Sequence, residues 1–383
     1  MKKAIFHRYM YRKLFNNLIH FRLKPGKPDS VIPLWKKQLA ESYRSVSDFP
    51  EYFKFFREEK DYFTKKVSKF KISVPKNYFS LAESEINDPI RRQFLPHKDE
   101  LVIKSRESKD PLGENPHKVT ERLIHRYKNR ALFLASDTCA MYCRHCFRRD
   151  YLSNKSSPLN RLEIENAAKY LQSHSEVQEL IISGGDPLIL DDVILKNILS
   201  IFREFRPDII FRIASRTPVV LPSRITKSLV KILADYKPVF FITQFNHPRE
   251  LTPESKKSIS ILVNNGIPVL NQAVLLRSVN DNIDVLAELF QELVRCSVKP
   301  YYLFQGDLAA GTSHLRVSII RGFEIMKELR TRISGLAMPV YAVDLPEGGG
   351  KIPLTESYIQ EITDKEVIFK DYSGNEFSYP IES

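Results

Sequence analysis

Residues 137–151 read Asp-Thr-Cys-Ala-Met-Tyr-Cys-Arg-His-Cys-Phe-Arg-Arg-Asp-Tyr, and Cys139, Cys143 and Cys146 stand there in a C-x3-C-x2-C spacing. Three of the four cysteines of the chain fall in this stretch. Thiolates gathered this closely can converge on one soft metal centre. A [4Fe–4S] cluster tolerates three protein ligands, because its fourth iron can take a non-protein ligand.

Two other uses of these cysteines fit the sequence less well. A structural zinc site would need a fourth Cys or His at a defined spacing, and the position of His145 beside Cys146 directs its ring away from such a metal. Disulfides are disfavoured, because an odd trio of cysteines in a chain without a secretory signal is typical of metal binding.

The C-x3-C-x2-C spacing followed by an aromatic residue, here Phe147, resembles the radical S-adenosylmethionine superfamily. In that superfamily the amino and carboxylate groups of S-adenosylmethionine chelate the open iron of the cluster. The motifs described below narrow the resemblance to the lysine 2,3-aminomutase family, from about residue 30 to the C-terminus. The resemblance therefore implies a [4Fe–4S] cluster on the three cysteines, with S-adenosylmethionine and pyridoxal 5'-phosphate as the other cofactors.

The formal net charge of +13 invites a nucleic-acid-binding interpretation, but its distribution argues against one. Residues 1–28 hold eight Lys and Arg and no acid, so that 51 basic residues face 46 acidic ones in the remainder. This basic arm could touch a polyanion or a membrane surface. We favour instead an amphipathic arm packed on the protein or on a neighbouring subunit. An organellar transit peptide is disfavoured, because the segment is poor in Ser.

Hydrophobic residues make up 43% and charged residues 27% of the 383-residue chain, as in a globular protein. No apolar run approaches the ~20 residues of a membrane-spanning helix, and no secretory signal pattern is present. We therefore expect a cytoplasmic protein without a membrane partner. An exposed iron–sulfur cluster and the lone Cys296, which we interpret as a packing residue, both suit a reducing compartment.

The apolar pattern divides the chain into three predicted parts, residues 1–120, 121–345 and 346–383. The first contains the basic arm, a helical region over residues 33–81 and a loop-rich linker over residues 87–120. The second part is the radical S-adenosylmethionine core, and the third holds a glycine-rich lysine loop and a short C-terminal extension.

Six short apolar segments in the second part alternate with six amphipathic stretches, which predicts six β–α units and a parallel sheet with right-handed crossovers. Periodicity does not separate an open doubly wound sheet from a partial barrel. The family resemblance implies a (β/α)6 partial TIM-type barrel. The predicted strands are Ala131–Ser136, Glu179–Ser183, Ile209–Ser215, Val239–Gln244, Pro268–Val274 and Lys299–Gln305, and the predicted helices are 161–172, 192–205, 223–235, 253–265, 283–296 and 317–333.

Polar or Gly-bearing motifs stand at or near the ends of all six predicted strands, which predicts one shared site at the carboxyl ends of the sheet. Each motif alone would fit an ordinary βα turn. In chain order they are the cysteine loop, Ser183–Leu188, Ser215–Pro218, Gln244–Pro248, the pair Asn271-Gln272 and the pair Gly306-Asp307.

The triplet Gly184-Gly185-Asp186 would let the backbone approach a ligand closely, with a carboxylate at hand for an ammonium group. It resembles the superfamily motif that receives the amino group of S-adenosylmethionine; the alternative is an ordinary glycine turn. Further family positions that line the cofactor pocket match Ser215, Arg216, His247 and Gln272, although His247 beside Pro248 also fits a helix-entry turn.

Two arginines four residues apart, Arg126 and Arg130, precede the first predicted strand. Arg suits forked binding of phosphate. In the aminomutases the matching arginines contact the phosphate of pyridoxal phosphate, and the resemblance implies this role for both. Without the family, two surface arginines would be the better interpretation.

The segment 344–351 reads Asp-Leu-Pro-Glu-Gly-Gly-Gly-Lys and presents Lys351 from a glycine-rich loop. It is not a phosphate-binding P-loop, because no Ser or Thr follows Lys351. A lysine on a flexible loop suits an imine with a carbonyl cofactor. The segment resembles the family motif whose lysine carries pyridoxal phosphate as a Schiff base, with Glu347 where the lysine enzymes usually have another Gly.

Substrate recognition follows from charge together with the resemblance. Arg148 matches the family arginine that binds the substrate carboxylate, and Asp307 and Asp344 match the two acids that hold the distal ammonium of lysine. Two carboxylates in a partly buried site destabilise one another unless a cation lies between them. Without the family, two unrelated aspartates would be the simpler interpretation. Glutamate-using relatives differ here, and relatives that modify a lysine of elongation factor P lack the second acid.

The resemblance also bears on zinc. The chain ends at Ser383 without the cysteine-bearing tail by which longer family members bind zinc, and Asn282 stands where their other zinc-ligand cysteine would be. We therefore expect no zinc.

The resemblance implies an isomerase that converts L-lysine to L-β-lysine. In it a 5'-deoxyadenosyl radical, formed from S-adenosylmethionine by the reduced cluster, starts migration of the imine nitrogen from C2 to C3 of the substrate. We expect an electron donor such as flavodoxin or ferredoxin, and a homo-oligomer. The alternatives are an aminomutase for lysine on elongation factor P or for glutamate and, outside the enzymes, a basic metal-cluster protein that binds nucleic acid.

Overall fold

The computed structural model describes residues 32–65, 70–153, 158–355, 357–371 and 374–381. The predicted basic arm, residues 1–28, lies outside the described residues. No helix in these ranges is long and apolar enough to cross a membrane. The division of the chain into three parts stays a prediction.

The centre of the fold is a nine-stranded sheet in which every strand pairs with the next one along the chain. β2 to β8 run parallel, and the edge strands β1 and β9 are antiparallel to their neighbours. The strands are β1 Leu123–Tyr127, β2 Arg130–Ser136, β3 Glu179–Gly184, β4 Ile210–Ala214, β5 Val239–Thr243, β6 Val269–Val274, β7 Val298–Phe304, β8 Val340–Leu345 and β9 Gly350–Pro353.

The sheet is curled but open. Its linear strand order shows that β1 and β9 do not pair with one another. Yet Tyr127 at the end of β1 donates a hydrogen bond of 3.4 Å from its hydroxyl to Oδ1 of Asp344 on β8, so the two edges of the sheet face each other. The predicted partial barrel is therefore confirmed, with one parallel strand, β8, beyond the six predicted ones.

Helices cover the outer face of the sheet. The α7 helix shows how they pack: it buries Leu195, Ile198 and Phe202, and the Phe202 ring meets the edge of Phe133 on β2 at 5.0 Å between centroids. Burying such a side chain stabilises the fold by about 2 kcal/mol. The helices are α1 Leu34–Ala40, α2 Arg57–Lys65, α3 Lys76–Phe79, α4 Arg91–Phe94, α5 Arg149–Ser153, α6 Arg161–Gln172, α7 Asp192–Phe205, α8 Thr217–Val220, α9 Lys227–Asp235, α10 Pro253–Asn264, α11 Ile283–Arg295 and α12 Ile319–Arg332.

The N-terminal region is less helical than its aromatic spacing suggested, since α1, α2 and α3 are short. The aromatic residues form a cluster instead of one helix face: the Phe49 ring lies 4.9 to 5.6 Å from the rings of Tyr43, Phe53, Phe55 and Phe79. This cluster packs onto the main core, because Phe49 and Phe79 belong to the same set of contacting buried residues as the barrel strands.

The segment at 87–120 is irregular, as predicted, but it is no surface linker. Ile90, Phe94 and Leu95 are buried in the main core. The Arg144 backbone N–H in the cysteine loop donates to the carbonyl oxygen of Gln93 at 2.9 Å, so the segment lies against that loop. Beyond β9 the chain forms a separate three-stranded antiparallel sheet of Ile359–Ile362, Glu366–Lys370 and Glu376–Pro380.

Candidate active site

One cavity of about 440 Å³ collects nearly all the site residues that the sequence singled out. It extends from the cysteine loop at the carboxyl ends of the strands to the start of β2. The seven residues of β2 span on the order of 20 Å, so the cavity is long enough to hold two ligands in a row. Its lining includes Cys139, Cys143, Cys146, Arg126, Arg130, Arg148, Gly184, Gly185, Asp186, Ser215, Arg216, Gln272, Asp307, Asp344 and Lys351.

The three thiols line the same end of this cavity. Burial raises the pKa of Cys146 to about 11, and the nearby Cys143 adds to the shift. The pKa of Cys139 is also raised, by burial and by the charges of Asp186, Cys146 and Cys143. The thiols share one cavity, and a cationic centre there would stabilise the thiolate forms of Cys139 and Cys146 against the effect of burial. Among the described residues, no three Cys, His, Asp or Glu side chains converge tightly enough to hold a single metal ion.

The cysteine loop is held in place by a buried ion cluster. Glu100 and Arg144 have fully buried side chains, and Oε1 of Glu100 accepts a hydrogen bond of 2.8 Å from Nε of Arg144. Arg149 Nη2 donates to the other carboxylate oxygen at 2.5 Å. Burial alone would raise the pKa of Glu100, but the charges of Arg144 and Arg149 hold it at about 2. Glu100 thereby anchors both ends of the Cys143–Cys146 segment to the N-terminal region.

Gly184 and Gly185 allow two segments of the chain to approach each other closely. A Cβ on Gly184 would collide with the carbonyl oxygen of Ser136, and one on Gly185 with that of Thr138. The Gly184 backbone also has φ of +116°, which L side chains rarely adopt. The glycines therefore let β3 lie directly beside the start of the cysteine loop.

Asp186 is engaged by the protein itself. Its Oδ1 accepts from the Ser215 hydroxyl at 2.8 Å and its Oδ2 from the Arg216 backbone N–H at 2.9 Å. Burial raises the pKa of Asp186 to about 6 although these hydrogen bonds oppose the shift. Asp186 and Ser215 thus tie the end of β3 to the end of β4.

Arg216 reaches from this turn to the thiols. Its Nη1 donates to Cys143 Sγ at 2.7 Å, and its Nη2 lies 2.7 Å from Oε1 of Glu250 and also donates to Gln93. Arg216 thus places a positive charge directly beside one of the three sulfurs. Neither Glu250 nor Gln93 was predicted: Gln93 is far from every motif in the sequence, and Glu250 lies just beyond the motif Gln244–Pro248.

The structure does not bring His247 to the cavity. Its Nδ1 accepts from the Arg249 backbone N–H at 3.2 Å, which caps the short helix Pro248–Glu250. The alternative interpretation of His247, a turn at the start of a helix, is therefore the one that the structure shows. His145, which the sequence analysis set aside as a zinc ligand, does line the cavity and lies 3.2 Å through Nε2 from the Gln244 side-chain nitrogen. Burial lowers the pKa of His145 well below its usual value, so the ring is neutral.

Arg126 and Arg130 lie at the far end of the cavity, on the β1–β2 hairpin. The guanidinium carbons lie 5.3 Å and 3.8 Å from the centroid of the Tyr127 ring. Nε and Nη2 of Arg126 are buried and donate no hydrogen bond to any described residue. Buried donors without a partner cost free energy, so this position fits an anionic ligand.

Lys351 and Asp344 form a cross-strand ion pair. They are opposite one another on β9 and β8, with Lys351 Nζ 2.5 Å from Oδ2 of Asp344. Lys351 Nζ also lies 3.8 Å from the centroid of the Phe304 ring. Burial lowers the pKa of Lys351, and the nearby carboxylates of Asp344 and Asp307 oppose the shift.

Asp307 is the second acid at this end. Burial, and then the charge of Asp344, raise the pKa of Asp307 to about 7. No described residue donates a hydrogen bond to its carboxylate, whereas Asp344 is paired with Lys351. One of the two carboxylates is therefore paired with a cation, and the other is able to accept a hydrogen bond from an ammonium group.

The glycine-rich loop is the hairpin turn that joins β8 to β9. Glu347 in this turn has φ of +56°, in the left-handed region. The strain of a non-Gly residue there costs about 1 kcal/mol, which accounts for the Gly at this position in the related motif. The Glu347 side chain is exposed, so its charge is directed to solvent.

The chain is similar to known proteins over most of its length. A model of the radical S-adenosylmethionine superfamily matches residues 134–290, and a lysine 2,3-aminomutase model matches residues 326–382. An L-lysine 2,3-aminomutase of Methanococcus maripaludis is 40% identical over 90% of this chain and 81% of its own length. One of Clostridium subterminale is 39% identical over 91% and 84%. A glutamate 2,3-aminomutase of Clostridioides difficile is 36% identical over 89% and 81%.

These matches and the curled sheet define the class: a radical S-adenosylmethionine enzyme that acts as an isomerase. More narrowly, the chain belongs to the lysine 2,3-aminomutase family. Membership of the superfamily implies a [4Fe–4S] cluster and S-adenosylmethionine.

Proposed function

We propose that this protein converts L-lysine to L-β-lysine, with pyridoxal phosphate on Lys351 and a cluster on Cys139, Cys143 and Cys146. The observation that carries the proposal is the charge layout of one cavity: an arginine, Arg148, together with two carboxylates, Asp307 and Asp344, beside a lysine of lowered pKa. A free diamino acid has the complementary charges, one carboxylate and two amines. Relatives named as lysine aminomutases support the same substrate.

The residues present fit the cluster. Three thiols line one end of the cavity, and the Arg216 guanidinium donates a hydrogen bond to one of the three sulfurs. Cys139, Cys143 and Cys146 would hold the cluster. The same cavity is also lined by Gly184, Gly185, Asp186, Ser215, Arg216 and Gln272. We propose S-adenosylmethionine for the part that these residues line. An electron donor such as flavodoxin or ferredoxin would reduce the cluster.

Pyridoxal phosphate fits the opposite end. The unpartnered Nε and Nη2 of Arg126, with Arg130 beside them, would hold the phosphate. Lys351 would carry the cofactor, since its amine is the one lysine nitrogen that lines the cavity in the described part of the chain, and a lowered pKa makes it a better nucleophile. With Lys351 engaged by the cofactor, its amine would not be available to neutralise Asp344.

When bound, the two cofactors supply the radical that removes a substrate hydrogen and the carrier for the migrating amino group. The chain's own part is to orient the substrate and to keep water away. Arg148 would hold the carboxylate, and Asp307 and Asp344 would hold the distal ammonium. Between these two contacts the reacting carbons have one fixed position relative to both cofactors.

Glutamate fits this cavity poorly. Its second carboxylate would meet two further carboxylates instead of a cation, which is repulsive in a partly buried site. The 36% identity to a glutamate enzyme therefore does not carry over to substrate choice here.

Removing the charge of Asp307 tests this layout. Asp307→Asn is expected to weaken L-lysine binding by about 100-fold, because loss of one partner of a partly buried ion pair costs on the order of 3 kcal/mol. Asp307 is preferable to Asp344, since Asp344 also pairs with Lys351. The affinity for L-lysine is measured by isothermal titration calorimetry, or by absorbance titration, of the protein loaded with pyridoxal phosphate. Asp364→Asn in the separate C-terminal sheet region is the control, and unchanged affinity in Asp307→Asn would remove this residue from the substrate site.

A pH dependence follows from the same residue. The pKa of Asp307 is about 7 in the lysine-free protein, so the carboxyl becomes neutral as the pH falls through 7 and no longer attracts an ammonium. The affinity for lysine is therefore expected to fall as the pH is lowered from 8 to 6. The part of this decrease that comes from protonation of Asp307 is expected to be absent in the Asp307→Asn variant. Deprotonation of the substrate amine affects both proteins equally, so the difference between the two curves reports Asp307. Parallel curves would contradict the assignment.

A further inference from the structure

The carboxylate-binding Arg148 already has a partner. Glu114 accepts two hydrogen bonds from it, 3.0 Å from Nε to Oε2 and 2.5 Å from Nη2 to Oε1. Both side chains line the cavity and are largely buried, with 15% and 17% exposed. Glu114 belongs to the segment that was predicted to be a linker, and no sequence motif marks it.

The position of Glu114 is built by its own turn. Asp110 caps this turn: Oδ1 accepts from the Glu114 backbone N–H at 2.8 Å and Oδ2 from that of Asn115 at 2.9 Å. Gly113 has φ of +62°, and a Cβ there would lie 2.7 Å from the backbone nitrogen of Gly348. The turn is therefore packed against the hairpin that presents Lys351, and Glu114 reaches Arg148 from a fixed base.

The pairing uses only one edge of the guanidinium. Nε and Nη2 donate to Glu114, while Nη1 donates to no described residue. A guanidinium can bind a second carboxylate through its other edge, formed by the two Nη atoms. The geometry thus leaves Arg148 able to accept a substrate carboxylate without losing Glu114.

Glu114 has two opposite effects on the ability of Arg148 to bind a substrate carboxylate. Its negative charge weakens the attraction of Arg148 for any other anion. Against this, Arg148 interacts electrostatically with Asp307, whose carboxylate accepts no hydrogen bond from any described residue. An Arg148 released from Glu114 would be free to pair with Asp307, and such a pair would occupy both the carboxylate site and the ammonium site. The first effect weakens one substrate contact, whereas the second removes both.

We propose that Glu114 is a positioning residue that holds Arg148 by its Nε and Nη2 edge, directs its free edge to the substrate carboxylate and keeps Arg148 away from Asp307. The proposal rests on the proposed function only in that Arg148 binds an amino acid carboxylate. It adds a third acidic residue, from outside the barrel, to Asp307 and Asp344 as determinants of substrate binding.

The test compares two ligands on protein loaded with pyridoxal phosphate, with the absorbance of the bound cofactor as the readout. L-lysine carries the carboxylate, and L-lysinamide has the same amines without it. Glu114→Gln is expected to weaken lysine binding by about 10- to 100-fold, the range for a hydrogen bond to a charged group, and to leave lysinamide binding unchanged. Glu121→Gln, the same change at an exposed site of the neighbouring segment, is the matched control.

A double variant separates positioning from a structural role. In an Arg148→Ala background, Glu114→Gln is expected to have no further effect on lysine affinity, because there is no guanidinium left to position. Equal weakening for both ligands, or weakening that persists in the Arg148→Ala background, would show that Glu114 only supports the fold. Tighter lysine binding in Glu114→Gln would show that Glu114 competes with the substrate. Either result overturns the proposal, as does unchanged binding.

The same measurements distinguish failure of the proposed function from failure of the positioning role of Glu114. If lysine leaves the cofactor absorbance of the unaltered protein unchanged, lysine is not the substrate, and the series is run with L-glutamate, whose α-carboxylate would meet the same arginine. A glutamate response that depends on Glu114 would support the positioning role alone. No response to either amino acid would overturn both proposals.

Discussion

A Cys143→Ser variant is expected to lose most of its iron and all cleavage of S-adenosylmethionine. Serine is a hard and weakly acidic ligand that cannot replace a thiolate on iron. With two cysteines left, one further iron would lack its protein ligand. Iron and sulfide content, electron paramagnetic resonance of the reduced protein, and release of 5'-deoxyadenosine measure the effect.

Cys296→Ser is the control for this experiment. Cys296 ends the α11 helix and is not among the residues that line the cavity, so its replacement leaves the cluster site intact. Full iron content and cleavage in Cys143→Ser would remove Cys143 from the cluster. The same loss in Cys296→Ser would indicate general instability instead of ligand loss.

Replacement of Lys351 by arginine is expected to abolish the covalent link to pyridoxal phosphate and to reduce turnover by at least about 1,000-fold. Arginine keeps a positive charge beside Asp344, so the ion pair across β8 and β9 is retained while the nucleophilic amine is lost. The Lys351→Ala variant would in addition leave two carboxylates without a cation, which makes it the less informative change. Borohydride reduction followed by peptide mapping locates the cofactor.

Lys118, an exposed lysine that pairs with Glu121 near the turn of Glu114, provides the control as Lys118→Arg. It is expected to retain the covalent link and the turnover of the unaltered protein. A borohydride-fixed label on a residue other than Lys351, or a Lys351→Arg variant that still forms the link, would contradict the assignment.

The barrel could be predicted from the sequence because its elements have strong periodicity. The bounds of α6 and α7 agree with the predicted 161–172 and 192–205, and Thr252 caps α10 through a 3.1 Å hydrogen bond from the Ser255 backbone N–H. β8 was missed although Val340–Leu345 is a short apolar run of the same kind, because its Asp344 had been assigned to the glycine-rich loop. β1 was not predicted because three of its five residues, His125, Arg126 and Tyr127, interrupt the apolar pattern of a strand.

The candidate site was predictable only where a motif marks it. The cysteines, the glycines and Lys351 are close in sequence to other residues of their motif, and the structure brings them to one cavity. Glu114, Glu100 and Glu250 contact site arginines 34 to 49 residues away along the chain. Such contacts depend on how the N-terminal region and the loops pack, and a single sequence carries no periodic signal for them.

The most direct test of the account is product analysis. The protein, reconstituted without oxygen with iron, sulfide and pyridoxal phosphate, is incubated with 13C-labelled L-lysine, S-adenosylmethionine and dithionite, and the products are followed by nuclear magnetic resonance. L-β-lysine is expected, with no product from L-glutamate. Inert free lysine together with rearrangement of a lysine attached to elongation factor P would contradict the account, as would turnover of glutamate.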